Sequence, residues 1–90
     1  MAYSKEKLDK IFAKGVIIKG MNSMTHRKDK CGYIIYRYSY GKKSKMGWEV
    51  DHSKPKSKGG TDHINNLQPL HWYANKCKTD KHPFSKKNCK

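Results

Sequence analysis

Trp48-Glu49-Val50-Asp51-His52, a polar loop carrying Pro55 and Gly59-Gly60, then Asn66-Leu67-Gln68-Pro69-Leu70 running into His71-Trp72-Tyr73-Ala74-Asn75-Lys76-Cys77-Lys78: the fold turns on this stretch. Its first five residues alternate, so Trp48 and Val50 share one face of a short strand and Glu49 and Asp51 the other. Residues 53–66 contain a Pro, two Gly, several Lys and almost nothing apolar. They read as a loop, and a loop that long in a small module is usually functional. Residues 67–70 form a short strand, with Pro69 tolerable at an edge or a strand end. Residues 71–81 read as a helix stopped by Pro83. On it Leu70, Ala74 and Cys77 recur at i, i+4 and i+7 and face the core, while His71, Asn75 and Lys78 lie along another stripe.

Upstream, Ser4 caps a helix running to about Lys14, because Leu8, Ile11 and Phe12 recur at i, i+3 and i+4, and Gly15 supplies the stop. Residues 20–30 turn polar and read as a loop. Residues 33–40 are rich in aromatic and β-branched side chains between Gly32 and Gly41, which predicts a strand whose tyrosines pack on the sheet. Lys42 to Gly47 make a basic turn. Trp48 and Trp72 are core aromatics in a chain poor in Leu and Ile, Cys77 is a small buried hydrophobe, and residues 84–90 form a polar tail.

Across 90 residues, 21 Lys+Arg stand against 7 Asp+Glu, a net charge of 21 − 7 = +14. That length suits one small module, and the charge selects polyanionic partners. Ten aromatic residues, counted as 2 Trp, 6 Tyr and 2 Phe, are too many for a disordered basic tail. The longest aliphatic run, Val16-Ile17-Ile18, is far too short for a membrane span. Lys5, Glu6, Lys7, Asp9 and Lys10 stand where the apolar core of a signal peptide belongs, so the expected setting is intracellular, cytoplasmic or, in a eukaryotic host, nuclear. Cys31, Cys77 and Cys89 are odd in number and widely spaced, which predicts reduced thiols, and no C-x-x-C knuckle offers a structural zinc site.

A hairpin followed by a helix brings a strand end against a helix face, so Asp51, His52 and Asn75 border one small site despite their separation. Asp51 offers a hard anionic oxygen and Asn75 an amide oxygen, ligand types that Mg²⁺ accepts while keeping waters for substrate to displace. Histidine, with an unperturbed pKa of about 6.5, is the natural general base near neutral pH, and His52 is the candidate. Such a site suits phosphodiester hydrolysis.

At these residues the chain resembles the HNH endonucleases, the ββα-metal nucleases, over about its last half. The family pattern appears here as Asp51-His52, Pro55, Gly59-Gly60-Thr61-Asp62, Asn66-Leu67-Gln68, and Asn75 with Lys78. Gly47-Trp48-Glu49-Val50, with Arg27 and Asp29 ahead of Gly32, is similar to short phage-type, viral and bacterial members. The resemblance implies an α+β fold: a ββα-metal module with a small antiparallel hairpin and a metal-site helix, joined here by an N-terminal helix and an extra aromatic strand. The length predicts a single domain over 1–90, which the resemblance divides into an N-terminal helix and connector (1–24), the HNH nuclease module (25–81) and a basic tail (82–90). Asp51 and Asn75 would hold one divalent cation, Mg²⁺ or Mn²⁺. His52 would activate the attacking water, and Asn66 would brace the loop and orient His52. The partner would be DNA, double-stranded, cut to 5′-phosphate and 3′-hydroxyl ends. Lys78 would clamp a phosphate, and Lys76, Lys54, Lys81 and Arg27, with Lys86 and Lys87, would extend the nucleic-acid-binding surface.

Asn75 stands where many members have His, which favours Mg²⁺ or Mn²⁺ over softer ions. The zinc-binding cysteine pairs of other members are missing, so no structural zinc is expected. Among the remaining histidines, His63 and His82 read as exposed loop residues and His26 as a surface or phosphate-contacting one. His71 is open between bordering the metal, touching DNA and capping the helix. The rival readings are a non-catalytic basic nucleic-acid-binding module and an inactive HNH relative; a pure binder has no need of a carboxylate such as Asp51 facing phosphate.

Overall fold

Helix α1 (Lys5–Phe12) begins at Ser4, whose side chain accepts from the Lys7 backbone N–H at 3.1 Å, the usual satisfaction of an orphan donor at a helix start. The computed structural model of the chain describes residues 3–78. After α1 come β1 (Val16–Ile17), β2 (His26–Lys28) and β3 (Ile34–Tyr36), then β4 (Trp48–His52), β5 (Leu67–His71) and α2 (Trp72–Lys78). The fold is a small α+β arrangement of two antiparallel sheets and two helices. One sheet has the order β1-β2-β3 and the other is the pair β4-β5.

The alternation in 48–52 sets the packing. Trp48 is fully buried with Leu8, Ile11, Phe12, Ile35 and Leu67, and Val50, Ile64, Tyr3 and Tyr40 close the cluster. Phe12 and Tyr40 lie against the Trp48 ring at centroid separations of 5.3 and 5.1 Å, and its indole N–H donates to the Arg37 carbonyl at 3.2 Å. The opposite face of β4 turns Glu49 and Asp51 toward α2. Registers Trp48↔His71, Asp51↔Gln68 and His52↔Leu67 fix which residues meet across the hairpin. Leu70 and Ala74 form a second buried cluster with Cys31 and Tyr33 against it. Pro69 is compatible with its strand because β5 pairs with β4 alone in its sheet.

Several expectations are corrected. Residues 20–30 are not all loop, because His26–Lys28 is the central strand of the three-stranded sheet. Three polar residues carry no apolar alternation; backbone pairing to β1 and β3 makes this strand. The aromatic strand is shorter than 33–40, giving way after Tyr36 to a 3₁₀ turn at Arg37–Ser39. Val16–Ile17, assigned to nothing above, pairs with β2. Cys31 is disulfide-bonded rather than reduced, while Cys77 is a free thiol. The expected helix end near 81, the stop at Pro83, the tail, Lys81, His82, Lys86, Lys87 and Cys89 lie outside the described residues.

Two buried charged residues stitch the parts together. Asp29 Oδ1 accepts the backbone N–H groups of Cys31 and Tyr33 at 2.9 and 2.8 Å, and its Oδ2 accepts that of His71 at 2.9 Å, tying the turn after β2 to the start of α2. Arg37 donates to Asp9 at 2.6 Å and to the Lys5 carbonyl at 3.2 Å, fastening α1 to the turn after β3. No helix of the described residues is long and apolar enough to cross a membrane.

Candidate active site

At the end of β4, Asp51 turns toward α2 and is only 5% exposed. A carboxylate that far from water needs partners, and it has them: Lys78 Nζ donates to Oδ1 at 2.6 Å and to Oδ2 at 2.8 Å, and Gln68 Nε2 donates to Oδ2 at 2.6 Å. Gln68 reaches it because the two residues sit opposite each other across the hairpin. Lys78 also donates to the His52 carbonyl at 2.7 Å and is 3% exposed. A second ammonium, Lys30, is close enough to feel the same carboxylate; burial pushes its pKa down, with Asp51 opposing that shift and Lys78 adding to it.

His52, half-buried, points into the loop between the strands. Its Nε2 lies 2.7 Å from Asp62 Oδ1, and Asp62 Oδ2 accepts from Lys56 Nζ at 2.9 Å. The bond to His52, then that to Lys56, holds the Asp62 carboxyl below the usual carboxylate range. Asn66 organises the rest of the loop: its Oδ1 accepts the Lys54 backbone N–H at 2.8 Å, and its Nδ2 donates to the carbonyls of Lys54 and Thr61 at 3.0 and 2.8 Å. The Gly-Gly pair has a steric reason. Gly59 has φ of +89°, and a Cβ on Gly60 would overlap the Lys54 carbonyl oxygen. The loop is therefore folded tightly on itself, with Asn66 as its internal clamp.

Asn75, on α2 and half-buried, donates its Nδ2 to Glu49 Oε1 at 2.7 Å. The amide is thereby oriented, and its carbonyl oxygen is turned away from Glu49. Asp51, His52, Lys56, Asn75 and Lys78 line one cavity of about 260 Å³, with Val50 and Pro55 as its apolar walls. The stretch 48–78 thus brings Asp51, His52 and Asn75 to one place, as the sequence predicts.

Other expected site residues sit elsewhere or are engaged differently. Lys78 does not project outward to clamp a phosphate, because its ammonium is buried on Asp51; Asn75 and Lys78 face β4, and His71 is the last residue of β5 rather than part of a helical stripe. Arg27 spends its guanidinium on backbone carbonyls, those of Ser23 at 2.7 Å, Ala13 at 2.9 Å and Gly15 at 3.0 Å, and so clamps β2 to the end of α1. His71 caps: its Nδ1 accepts the Tyr73 backbone N–H at 3.1 Å and its Nε2 meets the Lys45 carbonyl at 2.8 Å, a pairing that calls for the Nε2–H tautomer. Lys54 and Lys76 are exposed, beside the loop clamp and on α2 respectively.

Sequence reasoning missed Glu49, Gln68 and Asp62, each of which orients a member of the site. Glu49 carried a signal, since alternation sets it on the same face as Asp51; Asp62 and Gln68 stood in the family pattern without a role, since their contacts depend on how the loop closes and on the hairpin register.

Among the described residues no group of three or more His, Cys, Asp or Glu converges as a metal cluster. The donor set is one carboxylate and one amide oxygen on a shared polar cavity, which fits a hard divalent cation that keeps most of its waters and does not fit zinc.

A family model described as HNH endonuclease matches residues 37–81. No curated protein and no solved structure matches significantly. The matched segment is half of the chain and takes in β4, the loop, β5 and α2, so every residue lining the cavity falls within it: the chain belongs to the HNH endonuclease family.

Proposed function

We propose that the protein is a metal-dependent endonuclease that hydrolyses phosphodiester bonds of DNA, with the hairpin and α2 acting as a ββα-metal unit. The observation that carries this reading is the position of His52, held by Asp62 at a cavity it shares with Asp51 and Asn75. A carboxylate on Nε2 selects the tautomer in which Nε2 carries the proton, so Nδ1 is the proton acceptor. His52 therefore takes a proton from water through Nδ1, and Asp62 stabilises the imidazolium that results and keeps the ring from turning. Asn66 acts one step back, since its three bonds to the loop backbone hold Asp62 and His52 in register.

Asp51 and Asn75 would hold Mg²⁺ or Mn²⁺, and such an ion supplies charge neutralisation at the phosphate and at the leaving 3′ oxygen. Glu49 fixes the amide of Asn75, and Gln68 fixes the carboxylate of Asp51. Lys78 holds the Asp51 carboxylate in place, and its ammonium would share that carboxylate with any arriving ion. Lys54, Lys56 and Lys76 supply phosphate contacts around the cavity, which orient the backbone and carry little sequence information.

A second reading keeps the fold without the chemistry. The bond between Lys78 and Asp51 favours it, because a carboxylate already neutralised by a buried ammonium needs no ion. Incubation with supercoiled plasmid, with Mg²⁺ or Mn²⁺ and with a chelator, separates the two. Metal-dependent nicking that His52→Ala lacks is expected; intact plasmid that nevertheless shifts on a gel would move the assignment to a binding module.

A further inference from the structure

Near the start of α2 a second cavity, about 680 Å³, is lined by Tyr33, Ile34, Met46, His71, Trp72 and Tyr73, with Lys45 at its edge. Its character is unlike the polar site. The Tyr33 and His71 rings stack at 4.6 Å and 25°, and those of His71 and Trp72 at 5.7 Å and 29°. Tyr73 stands edge-on to both Tyr33 and Trp72 and is 42% exposed, and Ile34 is 38% exposed. Exposed aromatic and aliphatic side chains around one cavity offer a surface on which a flat apolar ligand can stack.

The chemistry of the walls narrows the occupant. His71 is taken up between Tyr33 and Trp72, so exposed Tyr73 and Ile34 are the surface left for a flat ring, and no acidic residue lines the cavity, whereas the neighbouring turn carries Lys42, Lys43 and Lys45. A planar aromatic group attached to an anion meets both conditions, which describes a nucleotide. The location narrows it further: Trp72 precedes Asn75 by three residues on α2, just under one helical turn or about 4.5 Å along the axis. Bases stacked inside a duplex present no face to such walls; an unpaired base does.

Resting on the nuclease reading, we propose that this cavity holds one unpaired nucleobase of the substrate strand, close to the phosphate at the His52 cavity. The protein accordingly prefers a single-stranded segment, or a base turned out of the duplex, beside the point of cleavage.

The test uses the full chain in chelator, so that binding is read without cleavage. Single-stranded oligonucleotides carry 2-aminopurine, or an abasic residue, at successive positions. Quenching of the probe at one or two positions, and weaker binding when the abasic residue stands there, is expected. Tyr73→Ala should weaken single-strand binding about tenfold by loss of an aromatic platform, with Tyr73→Phe restoring it and duplex affinity nearly unchanged. Equal quenching at every position, or no penalty from any abasic residue, would overturn the proposal. So would a Tyr73→Ala variant that binds DNA normally but loses a concentration-dependent dimer, which would make the cavity a protein-docking face. Plasmid nicking on the same preparations keeps the two readings apart: nicking without a base-specific signal sinks the pocket alone, and a base-specific signal without nicking sinks the nuclease alone.

Discussion

His52 and Asp62 make the sharpest residue-level statement. Under the proposed mechanism His52→Ala removes the proton acceptor, so cleavage should fall by at least about 10²-fold while affinity for DNA is kept; plasmid nicking and a gel shift on one preparation check this, and equal loss of both would sink the proposed role. Asp62→Ala should lower kcat with little change in KM, because it frees the ring without touching substrate. Asp62→Asn, whose amide oxygen still accepts from Nε2–H, should recover part of the loss. The ¹⁵N shifts of His52 report the tautomer directly, and a dominant Nδ1–H form would refute the mechanism. The depressed pKa of Asp62 also sets a direction with pH. A carboxyl lowered by folding contributes stability above its unfolded pKa, about 3.9, and loses it as pH falls through the lower folded value. The contacts of Asp62 with His52 and Lys56 should therefore persist at pH 5 and release only in stronger acid, as followed by the side-chain resonances of Lys56.

At the scale of elements, α2 is joined to the hairpin by the buried pair of Lys78 and Asp51, 27 residues apart. Lys78→Met leaves a carboxylate buried without its cation and should cost about 3–5 kcal/mol. An ion at Asp51 would compensate, so Mn²⁺ should raise the melting temperature of Lys78→Met more than that of the wild type; equal shifts would argue against metal binding at Asp51. Asp29 joins the three-stranded sheet to the start of α2 through three backbone N–H groups. Asp29→Ala strands those donors and should destabilise by about 3 kcal/mol in urea unfolding. Much at this scale was legible in the linear pattern: α1 with its Ser4 cap, the strand at 48–52, the long loop, the strand from 67 and the helix after it. The strand at 26–28 was not, because His26, Arg27 and Lys28 have no apolar period and owe their conformation to neighbours on both sides.

Over the whole molecule, a charge of +14 predicts that the proposed DNA binding has a large electrostatic share. If about six phosphates are neutralised, affinity should drop about 10³-fold between 50 and 200 mM salt. A salt slope near zero would mean that the surface lysines do not track the backbone. The same charge explains why individual cations mislead. Arg27 and Lys78 look like phosphate ligands in the sequence, yet both are consumed inside the fold by backbone carbonyls and by Asp51, while Lys54, Lys56 and Lys76 remain at the surface and Lys56 lines the cavity.

The linear sequence by itself determined the family, the order of strand, loop, strand and helix, and the grouping of Asp51, His52 and Asn75. Each of those rests on spacing and alternation, which act within one element or across one hairpin. Tertiary structure alone decided what each group touches. Only the closed loop brings Asp62 to His52, and only the register of β4 on β5 brings Gln68 to Asp51. Only the packing of α2 buries the Lys78 ammonium, and only the meeting of β3, the basic turn and α2 gathers Tyr33, Trp72 and Tyr73 around one cavity. Contacts between residues far apart in the chain depend on how elements dock, and no periodicity within an element encodes that.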